Sequence, residues 1–311
     1  MSDPAADAVL SAFAPAGMEA EVVLRLFWVM LAGSVVVWLA VLAIAWHATR
    51  KREPADARRA HRLILAGGVA TPTIVLGALL AWGLVLMPKL RAAVPPDALH
   101  VDVSGEQWWW RVHYRDAGVD TANEIRIPVG RPVALSLTSP DVIHSFWVPS
   151  LAGKVDMIPG RSNTLVIQAD RAGTYRGVCA EFCGASHAEM RLLVLAMPPP
   201  RFERWLRGQA AGAVPATDPL AMQGRAAFLR NGCGACHAVR GTPAAGSVGP
   251  DLTHVGSRLE LAAGALPNES GALERWIAQP HAAKPGALMP DFDMLPPTEI
   301  RAIAAWLGEL Q

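Results

Sequence analysis

The segment from Gly177 to Met190, GVCAEFCGASHAEM, places several side chains that bind soft metals close together in the chain. These side chains are Cys179, Cys183, His187 and Met190. Thiolate and thioether sulfurs are soft ligands, and they select copper over magnesium, calcium or manganese. One Cys with His and Met would indicate a single copper ion, whereas a second thiolate allows two sulfurs to bridge a pair of copper ions. The segment therefore predicts a copper site.

Two other interpretations of this segment compete with the copper site. Cys179 and Cys183 could form a disulfide on the oxidising side of a membrane, but a disulfide would give His187 and Met190 no role. The spacing of these residues also fits one face of a helix. The flanking sequences GTYRGV and MRLLVLAM are strand-like, however, and favour a loop between two strands. His144, in DVIHSFWVPS, is the candidate for a further ligand from elsewhere in the sheet.

The pattern H…CxExCxxxHxxM, preceded by DVIHSFWVPSLAGKVDMIPGR, resembles subunit II of the haem-copper cytochrome c oxidases. The resemblance implies a dinuclear copper centre, CuA, in a cupredoxin-like Greek-key β-sandwich. It makes Cys179 and Cys183 the bridging thiolates of that centre. His144 and His187 would then supply one imidazole to each copper ion.

The other roles that this resemblance implies fall on Met190, Glu181 and Trp108. Met190 would be a weak axial ligand of one copper ion, and the backbone carbonyl of Glu181 would bind the other. The Glu181 carboxylate would also help to bind a magnesium ion at the boundary with subunit I. GEQWWW resembles the family's aromatic stretch near copper, which makes Trp108 the residue that takes the electron from external cytochrome c. Trp109 replaces the family's usual Tyr and Glu106 its frequent His, and neither change removes a copper ligand.

Trp108, Trp109 and Trp110 are adjacent in a strand-like piece that follows a predicted bulge at Gly105. Successive side chains of a strand point to opposite faces, so at least one Trp should be exposed unless a partner covers it.

A second cofactor motif, CxxCH, is formed by Cys233, Cys236 and His237. In this signature two thiols attach covalently to haem c, and the His is the proximal iron ligand. A thioredoxin-like CxxC is the alternative, but no strand precedes the motif and His237 would have no role. A Met as second axial ligand raises the haem potential relative to His. Met289, in KPGALMPDF, is the candidate because its Pro-bounded loop resembles the class I cytochrome c pattern.

Other residues could compete for the second axial position. Met294 and His281 lie near the candidate in the chain, and Met222 and His254 are more remote. The segment GPDLTHVGSR around Pro250 resembles the part of class I cytochromes c that supports the proximal histidine.

Two apolar segments account for the high apolar fraction of 52%. Leu26–Trp46 and Leu63–Met87 contain no charged residue, and each makes a helix of roughly 30 Å or more, enough to cross a bilayer core. Their length and lack of charge disfavour a buried soluble hairpin. Pro72 is tolerable in a membrane helix and could kink it. Met1–Glu21 contains no Lys or Arg, unlike the start of a signal peptide, so the first segment is expected to be a retained anchor.

The loop between the two apolar segments is strongly basic. Its basic residues are Arg50, Lys51, Arg52, Arg58, Arg59 and Arg62. The positive-inside rule places this loop in the cytoplasm, so both termini and everything after Lys89 would lie on the periplasmic side of a bacterial inner membrane. A net charge of +1 gives no reason to expect a nucleic acid partner.

The whole pattern predicts a multidomain membrane protein. β-rich pieces between Ala98 and Met197 suit an antiparallel sandwich, which Pro198–Pro200 would end. The small residues that follow suggest a linker with limited movement. Asp218 and Pro219 would start a helix, and ALERWIAQP and EIRAIAAWLGEL would form the last two. The predicted domains are an N-terminal periplasmic segment (1–21), a transmembrane hairpin (22–90, with helices about 24–46 and 63–87 and a cytoplasmic loop 47–62), an all-β cupredoxin-like CuA domain (91–200), a linker (201–219) and an all-α class I cytochrome c domain (220–311).

Two one-electron centres on a membrane anchor favour electron relay over bond-making chemistry. The resemblance implies the electron-input subunit of a terminal haem-copper oxidase, which passes electrons from a cytochrome c donor through haem c and CuA to the oxygen-reducing subunit I. The implied partners are subunit I, subunit III, the donor and the lipid bilayer.

This function has three alternatives. The first is a CuA and haem c electron-transfer subunit of a nitric oxide reductase-type complex. The CxxCH motif disfavours the second, a copper-delivery protein of the cupredoxin class. The copper ligands disfavour the third, a quinol oxidase subunit, which lacks them.

Overall fold

The computed structural model describes residues 8–50, 56–90 and 93–311 of the chain. Lys51 and Arg52 of the predicted basic loop, the first part of the predicted N-terminal segment and the start of the predicted CuA domain lie outside the described residues. The chain divides into two compact units, one formed by Val22–Ala93 and the other by the N-terminal residues up to Glu21 together with Val94–Gln311.

The first unit contains two helical segments that are long and apolar enough, by length and composition, to cross a membrane. Helix α1 spans Met18–Arg50, so it begins before the predicted start near residue 24 and extends into the predicted loop. The second segment consists of α2 (Ala57–Leu63), a π-helical stretch (Ile64–Ala70) and α3 (Thr71–Leu90).

The π-helical stretch lies directly before Pro72. A proline ring clashes with the carbonyl four residues earlier and supplies no amide hydrogen. The Thr71 amide donates instead to the carbonyl of Ala66, five residues earlier, as in a π-turn. The Thr71 hydroxyl donates to the same carbonyl at 2.8 Å, and the Thr73 hydroxyl donates to the carbonyl of Val69 at 2.7 Å. Local hydrogen bonds of this kind allow a proline within an apolar helix.

The second unit contains a β-sandwich of two five-stranded sheets. Its strands are β1 (Leu99–Glu106), β2 (Trp109–Tyr114), β3 (Val119–Ala122), β4 (Glu124–Pro128), β5 (Val133–Thr138), β6 (His144–Trp147), β7 (Val155–Met157), β8 (Asn163–Ile167), β9 (Gly173–Cys179) and β10 (Arg191–Met197). The sheet orders are β3-β2-β1-β5-β8 and β4-β10-β9-β6-β7. Burial alternates along β1, with Val101 and Val103 fully buried, because one face of the strand packs on the core between the sheets.

The three adjacent Trp residues occupy a tight connection and the strand after it. Trp108 lies in the turn between β1 and β2, after a cis peptide bond, and Trp110 is fully buried in β2. Trp109 is half-buried beneath the guanidinium of Arg111, which is 4.6 Å from the ring centroid. The predicted bulge is wrong, because Gly105 pairs with Trp110 in regular register.

The C-terminal region is helical. Its helices are α4 (Pro199–Ala210), α5 (Pro219–Arg230), α6 (Ala272–Ala278), α7 (Pro280–Ala283) and α8 (Pro297–Glu309), with a short pair of strands, β11 (Glu260–Leu261) and β12 (Leu266–Pro267). As predicted, the Asp218 side chain caps α5, accepting from the amides of Leu220 and Ala221. The apolar stripe of α8, including Ile300 and Leu307, is buried.

The predicted linker is attached to the helical region. The Ala213 amide donates to the carbonyl of Arg240 at 2.8 Å, and the ring of His254 contacts the carbonyl of Ala211 at 3.2 Å. Helix α4 belongs with the sandwich instead, since its Phe202 is part of the sandwich core.

Candidate metal centre and haem site

Two neighbouring strands bring the predicted copper ligands to one edge of the sandwich. His144 is the first residue of β6 and Cys179 is the last residue of β9, and these strands pair antiparallel with Phe146 opposite Cys179. Met190 immediately precedes β10. The predicted loop between two strands is confirmed, because only a short 3₁₀ turn, His187–Glu189, interrupts it. We call residues 180–190 the copper loop.

The predicted ligand atoms converge on one buried volume. The distances are 3.8 Å between the sulfurs of Cys179 and Cys183, 3.8 Å from Cys179 Sγ to His144 Nδ1, 3.5 Å from Cys183 Sγ to His187 Nδ1, 3.8 Å from Cys183 Sγ to Met190 Sδ and 3.2 Å from Cys179 Sγ to the carbonyl oxygen of Glu181. The ligand atoms of His144, Cys179 and Cys183 all lie within 4.8 Å of one another. His187 is half-buried, while the two cysteines, His144 and Met190 are buried.

This donor set fits copper. Cys179 and Cys183 are free thiols, so the disulfide alternative is wrong. Buried thiols next to imidazoles and a thioether form a soft ligand set, and the two adjacent sulfurs match the requirement for bridging two copper ions. The residues present therefore fit the copper centre that the sequence predicts.

The pKa values of the two thiols shift in opposite directions. Their shared hydrogen bond lowers the pKa of Cys179 and raises the pKa of Cys183, which burial raises further. One thiolate and one thiol are thus favoured, and a metal that uses both sulfurs must displace the remaining proton. Burial lowers the pKa of His144, but hydrogen bonds with Cys179 and Asp141 outweigh it, and the net direction is upward.

Asp141 fixes the orientation of His144. The His144 Nε2 atom lies 2.9 Å from Asp141 Oδ1, and a carboxylate can only accept, so Nε2 carries the proton. Nδ1 faces Cys179, and it can bind a metal once the metal displaces the proton of its hydrogen bond with that sulfur, an arrangement typical of metal-ligating histidines. Asp141 also accepts from the Gln107 amide at 2.7 Å. The sequence reasoning missed Asp141, for which the only signal is a carboxylate three residues before His144.

A glycine allows the neighbouring strand to approach His144 closely. A Cβ atom at Gly105 would lie 3.1 Å from the imidazole ring. The position that the sequence suggested was a bulge therefore accommodates the ligand ring.

The CxxCH motif follows α5 and winds into a single turn. The His237 amide donates to the carbonyl of Cys233 at 3.0 Å, and Cys233 and Cys236 are free thiols. His237 Nδ1 lies 2.8 Å from the carbonyl oxygen of Pro250, so Nδ1 carries the proton and Nε2 is left to bind iron. Burial lowers the pKa of His237, which favours the neutral imidazole that a metal requires. A Cβ atom at Gly249 would lie 2.5 Å from the His237 ring, so a glycine is required there.

The structure separates Met289 from its competitors by their surroundings. Met289 is half-buried and packs on the core of the helical region, whereas Met294 is 72% exposed and Met222 54% exposed. His281 contacts Asp291 at 2.9 Å and the carbonyl of Ala287 at 2.8 Å through its two ring nitrogens. Both ring nitrogens of His254 likewise contact backbone carbonyls. Met289 remains the predicted axial ligand.

Two protein families match this chain in sequence. The family described as "Cytochrome C oxidase subunit II, periplasmic domain" matches residues 116–197, and the family described as "Cytochrome c" matches residues 221–311. Cytochrome c oxidase subunit 2 of Bacillus sp. strain PS3 is 32% identical over 260 residues, which cover 80% of this chain and 72% of that protein. The chain belongs to the cytochrome c oxidase subunit 2 family.

Other subunit 2 proteins show similar relationships. The subunit 2 of Alkalihalophilus pseudofirmus is 39% identical over 218 residues, 70% of this chain and 63% of that protein, so the chain spans less than two thirds of that relative. The crystal structure of the periplasmic domain of subunit II of cytochrome oxidase from Bradyrhizobium japonicum is 29% identical and covers 38% of this chain and 96% of that domain, with a TM-score of 0.37. The predicted fold class, two apolar helices, a cupredoxin-like sandwich and a helical cytochrome c domain, is confirmed.

In this subunit 2 chain, the Glu181 side chain is exposed. Its carboxylate lies 3.4 Å from Lys154 Nζ, and Lys154 also contacts Asp156 at 3.5 Å. The predicted magnesium role of Glu181 remains a prediction.

Trp108 of this subunit 2 chain is next to the copper loop. Its indole nitrogen donates to the carbonyl of Cys183 at 2.9 Å, and the Gln107 side-chain amide donates to the same carbonyl at 2.7 Å. Gly184, at φ +114°, lies against this indole, where a Cβ atom would be 3.0 Å from the ring. The loop thus needs glycine for both its backbone conformation and its contact with Trp108.

Proposed function

We propose that this chain is the electron-input subunit of a terminal haem-copper cytochrome c oxidase, accepting electrons from a cytochrome c donor and delivering them to the oxygen-reducing subunit I. The observation that carries the proposal is the convergence of two buried thiols, two imidazoles and a thioether at one edge of the sandwich, in a chain that also contains a CxxCH domain. When bound, the copper pair and haem c supply reversible one-electron chemistry.

The residues of the sandwich hold the copper pair. Cys179 and Cys183 would be the bridging ligands, His144 and His187 would bind one copper ion each, and Met190 and the Glu181 carbonyl would complete the set. Burial of His144, both cysteines and Met190 limits the access of water to the site. Asp141 supports the assignment of His144, because it leaves Nδ1 available as the ligand atom.

The residues of the C-terminal domain hold haem c. Cys233 and Cys236 would form its thioether bonds, and His237 and Met289 would be its axial ligands. The hydrogen bond between His237 and Pro250 supports the proximal assignment, because it fixes the tautomer that exposes Nε2. With His237 and Met289 both bound, the haem iron would have no open position, which suits relay of electrons and not binding of oxygen.

The assembly that we propose contains subunit I, subunit III and a cytochrome c donor. The two apolar helices anchor the chain in the bacterial inner membrane as a two-pass protein, with both termini and both cofactor domains on the periplasmic side. The exposed Glu181 carboxylate binds an interfacial magnesium ion next to subunit I. Trp108 receives the electrons that are destined for the copper pair.

Metal and haem analysis of the purified full chain, combined with electron paramagnetic resonance, tests this proposal. We expect two copper ions and one covalent haem per chain, with one unpaired electron shared by both copper nuclei. Cys179→Ser should abolish the shared signal and leave the haem intact. A single copper ion in fully loaded protein would contradict the proposal. Consumption of nitric oxide in place of oxygen by the purified complex would favour the reductase alternative.

A further inference from the structure

Trp108 is covered by the C-terminal domain of its own chain. The side chain is only 8% exposed, and no Trp of the cluster from Trp108 to Trp110 is fully exposed, although the sequence predicts that at least one is exposed unless a partner covers it. Gly286 of the C-terminal domain lies against the indole, where a Cβ atom would be 2.9 Å from Cη2. The φ angle of Gly286 is +80°, so the backbone conformation and the close contact both require glycine.

Lys284, two residues earlier, connects this covering segment to the copper loop. Its ammonium group donates to the carbonyl of Glu189 at 3.0 Å and to the carbonyl of Ala262 at 2.6 Å. The residue is 3% exposed, and burial lowers the pKa of its amine to about 7. A buried amine is unfavourable unless it is hydrogen-bonded. Lys284 thus ties the copper loop of one domain to the 262 turn of the other.

Pro285, between Lys284 and Gly286, makes a further contact with the copper loop. Its carbonyl accepts a hydrogen bond from the Ser186 hydroxyl at 2.7 Å, and Ser186 is fully buried in the copper loop. Ser186 directly precedes the predicted copper ligand His187 in sequence. The predicted haem ligand Met289 lies shortly after Gly286, with only Ala287 and Leu288 between them. The same few residues therefore adjoin the predicted ligands of both cofactors.

Charged contacts continue the interface away from the copper loop. Arg176 of β9 forms a bidentate pair with Glu260, with N to O distances of 2.7 and 3.1 Å. The buried Glu124 carboxylate accepts from the Leu259 amide, and Arg111 donates to the carbonyl of Ser247 at 3.0 Å. These contacts fix the C-terminal domain against the sandwich. The contact between Gly286 and Trp108 is therefore one part of a larger interface.

We propose that Lys284, Pro285 and Gly286 form a latch that closes the C-terminal domain over Trp108 and excludes external donor proteins from it. Electrons then reach Trp108 only from the chain's own haem domain, and a soluble donor docks on that domain and not on the sandwich. The electron route rests on the proposed function, whereas the latch as a docking contact does not.

Hydrogen exchange of the full, cofactor-loaded chain in detergent tests the latch. In Lys284→Met, two hydrogen bonds of a buried amine are lost. Loss of even one such hydrogen bond raises local exchange by about tenfold. We therefore expect the exchange rates of the copper loop and of residues 284–289 to rise by about tenfold or more. Exchange in α5 and α8 should stay unchanged. Arg225→Met, which removes an exposed cation from α5, is the control and should alter neither segment.

Ser186→Ala is the second variant, because it removes a latch contact from the sandwich side without altering the C-terminal domain. If Lys284→Met also raises exchange in α5 and α8, the variant has destabilised the whole C-terminal domain. In that case Ser186→Ala is the variant that tests the latch. Faster exchange at residues 284–289 in Ser186→Ala supports the latch. Unchanged exchange at residues 284–289 in Ser186→Ala overturns the latch. So does unchanged exchange of both the copper loop and residues 284–289 in a Lys284→Met protein whose α5 and α8 remain stable.

Mixing the loaded chain with reduced soluble cytochrome c tests the electron route separately. In the wild type, reduction of copper should follow reduction of the haem with a lag, and Lys284→Met should gain a direct phase without lag. A direct phase in wild-type protein whose exchange shows a closed latch would overturn exclusion of donors and leave the proposed function standing. Absence of a copper signal in a chain with a closed latch would overturn the proposed function alone.

Discussion

The indole nitrogen of Trp108 donates a hydrogen bond to the carbonyl oxygen of Cys183 at 2.9 Å. This bond joins the residue that we propose receives electrons to a predicted bridging ligand of copper. The carbonyl and the thiolate belong to the same residue, so a short covalent and hydrogen-bonded path connects the ring to the metal site.

Trp108→Phe keeps an aromatic ring but removes this hydrogen bond. We expect normal copper content, slower reduction of copper, and a free energy of unfolding lower by about 1 kcal/mol, the usual contribution of one hydrogen bond. Rapid-mixing spectroscopy and copper analysis measure the first two quantities. Trp109→Phe is the control, because Trp109 stacks beneath Arg111. Equal slowing in both variants would argue against a specific role of Trp108.

Asp141→Ala should weaken copper binding. Without the carboxylate, the His144 imidazole is free to rotate or to change its tautomer, and loss of such a supporting group typically reduces metal affinity by about 10–100-fold. Competition with a chelator measures the affinity. Asp120→Ala is a matched control, since Asp120 also lies 2.9 Å from a histidine, His113, on the exposed surface of the sandwich. Unchanged copper affinity in Asp141→Ala would remove Asp141 from the site.

Gly249→Ala should disturb haem attachment. The added methyl group would lie 2.5 Å from the His237 ring, so the imidazole or the 249 loop must move. We expect less covalent haem, an altered haem spectrum and a loss of about 1–3 kcal/mol in stability, as in other overpacked sites. Gly208→Ala is the control, because a methyl group added there would meet nothing within 4 Å outside the backbone of α4 itself. Full haem content in Gly249→Ala would show that His237 tolerates displacement.

Tyr114→Phe should make stability less sensitive to alkaline pH. The buried Tyr114 hydroxyl donates to the carbonyl of Arg126 at 2.9 Å and accepts from its amide at 2.7 Å. Burial raises the pKa of Tyr114 above its ordinary value of about 10. The folded state therefore favours the neutral phenol, whose contribution is present below about pH 10 and is lost as the pH rises toward the folded-state pKa.

Unfolding by urea at about pH 8 and about pH 11 measures this effect. At the lower pH the variant should be less stable by about 1–2 kcal/mol, because two hydrogen bonds are lost. The difference between wild type and variant should shrink at the higher pH. Tyr175 is less buried than Tyr114, and its hydroxyl donates to the carbonyl of Arg171 at 2.8 Å, so Tyr175→Phe should show a smaller change.

The copper loop could be predicted from sequence because its information is local. Soft ligands at fixed spacings between two strand-like pieces indicate both the chemistry and the loop, and His144 sits in a motif of its own. The same holds for Asp218 and Pro219, which start α5 as their residue types suggest. The bulge at Gly105 was wrong because a glycine in a strand has several explanations, and only the folded structure reveals the ring of His144 beside it.

The contact between the two cofactor domains could not be predicted in this way. Lys284, Gly286 and Ser186 belong to segments far apart in sequence, and none of them forms a recognisable pattern with the others. A flexible composition in the linker pointed away from a fixed arrangement. The start of α1 at Met18 was missed because the prediction followed apolar residues, whereas helical hydrogen bonding continues through the polar residues before them.

Asp141 accepts hydrogen bonds from two functional parts at once, the backbone next to Trp108 and the ring of His144. A single carboxylate therefore sets both the position of the donor-facing turn and the tautomer of a metal-facing ring. A substitution that shifts one of these will shift the other, so the rate of copper reduction and the affinity for copper depend on the same carboxylate. Engineering either property independently will require paired changes on both sides of Asp141.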